Sequence, residues 1–337
     1  MAEFVSSFIT GFQSVVEADL TKRFKNLKIL NLFDGLVHYR FDGDSRELEK
    51  IIYFNNTFFV LKTMKGKGLS FPSLIGAVCS GKNYFLVNKG SFRVRFQNEN
   101  QFAKVDKNLT RRAEDYVLQN SKLKLDRLSP TNEVWFSIRR EGFAFCGELI
   151  SKREFTEKNL NKGELRPEIA YLICCFADIK NEDTILEPFC GYGSIPVQLA
   201  KKFRFEKLYV SDLDEERANQ TAARKQLSAP NIECRCADAK VLSYIEDKSI
   251  SLVITDPPWG YFEELPDIEG FYKEMLASFD RVLVEGGRLV ILSARKEELE
   301  RSVQATGFKI KNSLHTLVNG KKAAVYLIER LAPGTSE

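Results

Sequence analysis

The sequence has few of the residues that build metal and disulfide sites. Only two histidines occur among its 337 residues, and the seven cysteines include no C-x-x-C pair. A zinc site or a disulfide framework is therefore not expected, and we predict reduced cysteines that are mostly buried. Internal repeats and low-complexity tracts are also missing, which favours an ordinary globular chain.

Long apolar runs and a basic N-terminal segment are absent as well. No apolar run reaches the roughly 18 residues that a membrane span requires. The acidic Glu3 lies where a secretory signal would carry positive charge. Because 44% of the residues are apolar, the chain can bury a sizeable core. We expect a cytoplasmic monomer that binds neither a membrane nor a metal.

Positive charge is concentrated in the middle of the chain, although the net charge is only +4. Residues 51–150 carry 16 Lys and Arg against 8 Asp and Glu, whereas residues 151–337 carry 27 against 30. This asymmetry favours a polyanion that binds the middle segment, with a solvated Lys-rich surface as the alternative. The candidate RNA-phosphate contacts are Lys62, Lys65, Lys67, Lys82, Arg93, Arg95, Arg111 and Arg112.

The order of the predicted elements divides the chain into four segments. Residues 1–68 fit a β-α-β-β-α-β order, which suggests a ferredoxin-like unit, and residues 69–150 predict a second α/β module. Residues 151–165 are polar and aperiodic, so we predict a linker. From 166 to 337 helices and strands alternate as in a parallel sheet, and Asn319-Gly320 predicts a hairpin that makes the last strand antiparallel.

A strand, a glycine-rich turn and a helix are predicted over Glu187–Pro196, as in a nucleotide site. Glu187 would repel a phosphate but attract the ammonium and sulfonium groups of S-adenosyl-L-methionine. Pro196 stands where the dinucleotide fingerprint has its third glycine, which argues against an NAD-dependent oxidoreductase. A tight turn without a ligand stays an alternative. The candidate cofactor residues here are Glu187, Phe189, Gly191, Gly193 and Ser194.

Two further acidic residues follow the next two predicted strands. Asp212 lies 19 residues after Gly193 and is placed to accept hydrogen bonds from ribose hydroxyls, with Asp214 as a competitor or a helix cap. Asp238, followed by Ala239, is a candidate for the adenine amino group. The alternative for Asp238 is a loop aspartate that caps a turn.

The most specific pattern is Asp256-Pro257-Pro258-Trp259, directly after an apolar strand. The prolines remove two backbone donors and leave their carbonyls free to accept hydrogen bonds. An exocyclic amine on a base has two N–H groups, which the Asp256 carboxylate and the Pro257 carbonyl can accept. Trp259 offers a flat surface for an unstacked base. A proline-rich loop with a packed tryptophan is the alternative.

These four residues resemble the Asp/Asn/Ser-Pro-Pro-aromatic motif of class I amino-methyltransferases. The resemblance covers about residues 163–330. It implies that Asp256 and Pro257 hold the target nitrogen and that Trp259 stacks on the base. It also implies an α/β fold, namely a Rossmann-like class I methyltransferase domain whose parallel sheet ends in an antiparallel strand.

The order of domains resembles the THUMP-containing RNA guanine-N2 methyltransferases, in which an α+β ferredoxin-like and THUMP-type RNA-binding region precedes the catalytic domain. Leu165–Ala170, with Arg166, is similar to their helix that closes over the cofactor. Many members carry Asn and Tyr at the positions of Asp256 and Trp259. The resemblance implies N2-methylguanosine formation in structured RNA, with tRNA as the main expectation. The alternatives are ribosomal RNA, adenine N6, or an RNA-binding protein with a degenerate fold.

Overall fold

The computed structural model describes residues 2–153, 160–261 and 265–331. Packing divides them into two compact units, one of residues 2–8 and 17–153 and the other of residues 9–16 and 160–331. None of the helices described is both long and apolar enough to cross a membrane. All seven cysteines are free, but the expectation that most of them are buried is wrong, because only Cys146, Cys174 and Cys190 are buried. Cys236 is exposed because it ends a strand at the edge of its sheet.

The elements up to residue 153 include nine described strands. In chain order they are β1 (Ala2–Ser7), α1 (Gln13–Arg23), β2 (Leu27–Phe33), β3 (Leu36–Phe41), α2 (Arg46–Glu49), β4 (Asn56–Lys65), α3 (Phe71–Cys79), β5 (Ser91–Asn98), β6 (Gln101–Phe102), α4 (Lys107–Asn120), β7 (Lys124–Leu125), β8 (Asn132–Arg139) and β9 (Phe143–Lys152).

These nine strands form one sheet in the order β2-β3-β1-β4-β9-β8-β5-β6, and β7 pairs with β5. The first four strands pair antiparallel, in the order of a ferredoxin-like unit. Strand β4 also pairs with β9 along its length, so the sheet continues across the boundary expected at residue 68. The two-residue strands β6 and β7 escaped sequence analysis because they are too short for a periodic pattern.

Helices α3 and α4 pack on this sheet through a common apolar core. Leu74 and Val78 from α3 and Val117 from α4 are buried together with Phe92 and Phe136 from the strands. The Ser70 side chain caps α3 and the Asp106 side chain caps α4 by accepting hydrogen bonds from first-turn amides. Strand β9 occupies the first two positions of the predicted linker, and residues 154–159 of that linker lie outside the described residues.

After the linker, the second unit continues with a helix. Its elements are α5 (Pro167–Phe176), β10 (Thr184–Glu187), α6 (Ser194–Lys202), β11 (Lys207–Asp212), α7 (Glu215–Ala222), a short 3-10 helix (Lys225–Leu227), β12 (Ile232–Cys236), β13 (Ile250–Thr255), α8 (Ile268–Val282), β14 (Leu283–Ser293), α9 (Lys296–Gln304), β15 (Phe308–Val318) and β16 (Lys321–Arg330).

The seven strands form a sheet in the order β12-β11-β10-β13-β14-β16-β15. Pairs among β10 to β14 are parallel, and β16 pairs antiparallel with both β14 and β15. The antiparallel last strand is therefore confirmed. Leu186, Val253 and Leu289 from the central strands are fully buried, as expected for strands covered on both faces. The strand order reverses between β10 and β13, and ligands bind at such a reversal in open α/β sheets.

Candidate active site

A cavity of about 640 Å³ opens at the carboxyl ends of β10, β11 and β13. Its volume is in the range of small-molecule and cofactor sites. The cavity brings together eleven of the thirteen residues predicted for catalysis and cofactor binding. They are Glu187, Phe189, Gly191, Ser194, Asp212, Asp238, Ala239, Asp256, Pro257, Pro258 and Trp259.

The other two predicted residues, Gly193 and Arg166, do not line this cavity. Gly193 precedes α6 with a φ of 83°, and a Cβ there would lie 3.0 Å from Cγ2 of Thr221. Glycine is therefore required for the shape of the turn. Arg166 is the N-cap residue of α5, and its Nε lies 3.5 Å from Oε1 of Glu168.

Glu187 ends β10 and is fully buried. Its Oε1 accepts hydrogen bonds from Oγ1 of Thr255 at 2.7 Å and from the Phe189 amide at 3.0 Å. Its Oε2 is buried and has no hydrogen-bond partner among the described residues. Burial raises the pKa of Glu187 well above its usual range, and the nearby Asp256 and Asp212 add to the shift. A cationic ligand would satisfy both the unpaired oxygen and its charge.

Asp212 ends β11 and fixes the glycine-rich turn. Its Oδ2 accepts a hydrogen bond from the Gly191 amide at 2.8 Å, and its Oδ1 accepts one from the Asp214 amide at 3.0 Å. Oγ1 of Thr221 donates to the Gly191 carbonyl at 2.8 Å. Sequence analysis missed this structural role because the amide of Gly191 lies 21 residues upstream. Each carboxylate oxygen has a second acceptor site, so ribose hydroxyls can still bind.

Asp214 and Asp238 both make capping contacts, as the alternative interpretation of each residue predicts. Oδ1 of Asp214 accepts a hydrogen bond from the Arg217 amide at 3.1 Å and caps α7. Oδ1 of Asp238 accepts one from the Lys240 amide at 2.8 Å, in the turn after β12. Both side chains also line the cavity, so capping does not remove Asp238 from the predicted site.

Asp256 directly follows β13, and its Oδ1 is buried without a hydrogen-bond partner among the described residues. The Nε1 of Trp259 is likewise buried and makes no hydrogen bond of normal geometry with a described residue, although the indole is close enough to act on the Asp256 carboxyl. Burial raises the pKa of Asp256 to about 8, and the nearby Trp259 indole partly opposes the shift. Unsatisfied polar atoms in a cavity cost stability and are typical of a site that a ligand completes.

The two proline carbonyls differ in the structure, although both were expected to be free and the Pro257 carbonyl was assigned to the target amine. No described residue donates to the Pro257 carbonyl, whereas the Pro258 carbonyl accepts a hydrogen bond from the hydroxyl of Tyr272 at 3.3 Å. The expectation that both carbonyls are free is therefore wrong for Pro258. Pro257 alone keeps a free acceptor beside Asp256.

Side chains from elements that are distant in the sequence hold the loop after β13, which contains Asp256 to Gly260. Sequence analysis missed these side chains. The Tyr272 hydroxyl on α8 also lies 3.0 Å from Oγ of Ser293, at the end of β14. Nε of Arg295 donates to the Trp259 carbonyl at 2.9 Å. Tyr272 lies within an apolar helical pattern and Arg295 next to a strand, so neither carried a sequence signal for this role.

The β15–β16 hairpin supplies a further wall of the cavity. Val318, Asn319 and Lys321 all line it. Nζ of Lys321 lies 3.3 Å from the ring centroid of Tyr261, and the rings of Tyr261 and Trp259 meet edge to face at 6.3 Å. The sequence predicted this hairpin turn but gave no reason to place it beside Asp256.

The eight candidate RNA contacts fall into two groups by exposure. Arg93 and Arg95 are half-buried and both pair with Glu133, which lowers the pKa of that carboxyl against the opposing effect of its burial. Arg95 also lies over the Phe102 ring, 4.7 Å from its centroid. The other six are exposed, namely Lys62, Lys65, Lys67, Lys82, Arg111 and Arg112.

The fold and this cavity define a class of protein. The site fits a cofactor that has cationic groups and a ribose. The supporting features are the strand order, the positive-φ glycines at 191 and 193, and the carboxylates of Glu187, Asp212 and Asp238 at adjacent strand ends. The unpaired Oε2 of Glu187 fits an ammonium or sulfonium and would repel a phosphate. The structure is that of a class I methyltransferase whose cofactor is S-adenosyl-L-methionine.

Comparison with known families agrees. The profile of the RMKL-like, methyltransferase domain family matches residues 153–323, and the chain belongs to this family. It is 27% identical over 256 residues to the tRNA (guanine(6)-N2)-methyltransferase of Thermus thermophilus, covering 73% of this chain and 74% of that protein. It is 32% identical over 133 residues to the human U6 snRNA (guanine-N(2))-methyltransferase THUMPD2, covering 38% of this chain and 25% of that protein.

Among solved structures, the fold is similar to that of TrmN from Thermus thermophilus. The TM-score is 0.77 at 21% identity, and the match covers 98% of this chain and 100% of that chain. The likeness extends over the elements of both units and supports the fold described above.

Proposed function

We propose that this enzyme methylates the exocyclic N2 amine of a guanine in structured RNA, with tRNA as the substrate class. Two relatives that match different lengths of the chain are both named as RNA guanine-N2 methyltransferases. The relative that aligns with most of the chain acts on tRNA, which favours tRNA over the other RNA classes. That the protein works as a monomer in the cytoplasm stays a prediction.

One observation carries the chemistry: two unpartnered acceptors lie at the end of one strand. Oδ1 of Asp256 and the carbonyl of Pro257 accept no hydrogen bond from any described residue. An exocyclic amine has two N–H donors, and this pair of acceptors can bind both. The nitrogen lone pair is then free to face a methyl donor. In its ionised form, which a cationic cofactor in the same cavity favours, Asp256 also offsets the positive charge that develops on the nitrogen.

Glu187, Asp212 and Asp238 would hold the cofactor in the same cavity. The cofactor supplies an electrophilic methyl group when bound. Trp259 is half-buried and offers its ring to a base turned out of its stack. Holding the amine in one orientation avoids much of the entropic cost of a bimolecular reaction, roughly 7–11 kcal/mol for well-oriented pairs. Positioning is therefore the main contribution that we assign to these residues.

The first unit supplies the proposed RNA-binding surface. We infer that residues 1–68 act as the ferredoxin-like part and residues 69–150 as the THUMP-like part, followed by the linker and the catalytic domain from 166. The six exposed candidate cations lie in this region. Contacts to phosphates would give affinity and orientation without reading sequence.

Nucleoside mass spectrometry of tRNA and rRNA from cells with the gene deleted tests this function. We expect loss of N2-methylguanosine from tRNA, and its return when the wild-type gene is supplied but not when the Asp256→Ala variant is supplied. The purified variant should still bind S-adenosyl-L-methionine with an affinity close to wild type.

Other outcomes decide between the alternatives. Loss of the same nucleoside from rRNA, or loss of N6-methyladenosine, would replace the substrate and keep the enzyme class. An unchanged modification profile, together with no transfer of tritium from labelled cofactor to bulk RNA, would favour an RNA-binding protein with a degenerate fold.

A further inference from the structure

The cavity contains a lysine on the side away from the proposed cofactor site. Glu187, Asp212 and Asp238 lie along the strand ends where the cofactor fits, whereas Lys321 lines the cavity from the β15–β16 hairpin and contacts Tyr261. A cationic cofactor explains the acidic side chains. A cation beside the ring on which a guanine would stack has two classes of acceptor in the substrate, the O6 and N7 atoms of the base and the oxygens of the phosphodiester group.

Lys321 has no counter-charge among the residues that the structure describes. No described carboxylate forms an ion pair with it, and its Nζ lies 3.3 Å from the Tyr261 ring centroid. Tyr261 in turn meets Trp259 edge to face. The ammonium group is therefore held next to the proposed base-stacking surface, on a side chain that is half-buried.

A second cation lies against the same ring. Cζ of Arg295 is 5.1 Å from the Tyr261 centroid, and its Nη1 is 3.6 Å from Oε1 of Glu298. Two positive side chains thus contact one tyrosine, and among the described residues Glu298 is the carboxylate that pairs with one of them. Their combined positive charge favours the binding of an anion beside Tyr261.

We propose that Lys321, with Arg295 beside it, binds the phosphodiester group of the nucleotide whose base enters the cavity. This inference rests on the proposed function, because it requires a nucleic-acid substrate. It makes the β15–β16 hairpin a substrate-binding element. Arg295 then has two roles, since its Nε donates to the Trp259 carbonyl while its half-buried guanidinium adds positive charge beside Tyr261.

Binding of a fluorescent tRNA transcript, measured at several salt concentrations, tests the proposal with Lys321→Ala. One lost phosphate contact should raise Kd uniformly and reduce the slope of log Kd against log salt by about 1. We expect KM for the transcript to rise about tenfold, with a smaller change in kcat. Lys321→Arg should return Kd, the salt slope and KM close to their wild-type values, because it keeps the positive charge.

The matched control is Lys322→Ala, which removes an exposed lysine from the next position of the same strand. It should leave Kd, KM and the salt slope close to wild type. Tyr261→Leu separates charge from packing: it removes the ring but keeps Lys321, so the salt slope should stay near the wild-type value even if kcat falls.

The outcomes separate this inference from the proposed function. If the wild-type protein methylates RNA but Lys321→Ala keeps the wild-type salt slope, Lys321 does not bind phosphate and the inference is wrong. A raised KM with an unchanged slope would also overturn it, because Lys321 would then act only through Tyr261. If the wild-type protein transfers no methyl group to any RNA, the proposed function fails and the inference fails with it.

Discussion

Asp256 is a carboxyl group that burial holds in its protonated form to a pH of about 8. In the unfolded chain the same group titrates near pH 4. Between these two values the folded protein binds more protons at this position than the unfolded chain. The free energy of unfolding should therefore fall, through Asp256, as pH rises from about 4 to about 8.

Asp256→Asn removes this ionisation and tests whether the free energy of unfolding falls, through Asp256, as pH rises. We expect a higher Tm than wild type, with the gain larger at pH 9 than at pH 5, although methyl transfer is lost. Differential scanning fluorimetry of the ligand-free proteins measures it. Asp115→Asn, an exposed aspartate on α4, is the control and should change Tm little at either pH. A gain that is equal at the two pH values would contradict the raised pKa.

The Glu187 carboxyl lowers the stability of the ligand-free protein but favours cofactor binding. Its buried Oε2 has no hydrogen-bond partner among the described residues, and burial raises its pKa. Glu187→Gln should raise the Tm of the ligand-free protein at neutral pH. It should also weaken S-adenosyl-L-methionine binding by about tenfold or more, since a charge-assisted hydrogen bond is lost. Isothermal titration calorimetry measures the Kd.

Glu182→Gln is the matched control, since Glu182 is an exposed glutamate a few residues before β10. It should leave both the Tm and the cofactor affinity unchanged. Wild-type affinity in Glu187→Gln would show that the carboxylate does not face the cofactor, and would remove the main reason for assigning a cationic ligand to this turn.

At the scale of elements, the loop after β13 is positioned by α8 and by the segment after β14. Tyr272 connects the Pro258 carbonyl to Ser293, and Arg295 connects to the Trp259 carbonyl. Rigid elements therefore hold the loop at two consecutive carbonyls. The neighbouring Pro257 carbonyl is left for substrate because its position is fixed without using its own lone pairs.

Tyr272→Phe keeps the buried ring and removes the hydroxyl. We expect kcat to fall about tenfold, because small displacements of positioning groups are costly in catalysis, while the Kd for S-adenosyl-L-methionine changes little. The stability cost should be about 1 kcal/mol. Single-turnover methylation of a tRNA transcript and denaturant unfolding measure the two effects.

Tyr326→Phe serves as the control for a lost tyrosine hydroxyl. The Tyr326 hydroxyl donates to Oε1 of Glu300 at 2.7 Å and does not line the cavity. This variant should lose a similar amount of stability with a normal kcat. Equal kcat values for the two variants would mean that the Tyr272 contact does not position the loop.

For the whole molecule, the uneven charge predicts where RNA affinity arises. Arg111 and Arg112 are exposed on α4 in the basic segment. Reversing both to Glu should weaken binding of every RNA to a similar extent and reduce the slope of log Kd against log salt by about 2. Filter binding over a salt series measures this.

The matched control reverses Lys201 and Lys202, two exposed lysines that end α6 in the second unit. Because the net charge changes equally, it separates a local contact from a general electrostatic effect. If both double variants lose the same affinity, the middle segment has no special role and the solvated-surface alternative is preferred.

Much of the second unit could be predicted because its signals are contiguous. The alternation of helices and strands, the Gly191–Gly193 turn and the Asp256–Trp259 segment each lie within a few residues of sequence. Carboxyl ends of parallel strands meet at one edge of a sheet, so residues after successive strands converge on one site. This rule was enough to bring eleven predicted residues into one cavity.

The remaining features depend on contacts between residues far apart in the chain. Asp212 holds the Gly191 amide, Tyr272 occupies the Pro258 carbonyl, and Lys321 lies over Tyr261. The sequence specified which groups could donate or accept, because that is set by residue type. Only the tertiary structure decided which acceptors are already used and which stay free, because hydrogen-bond partners are chosen by distances that packing alone sets.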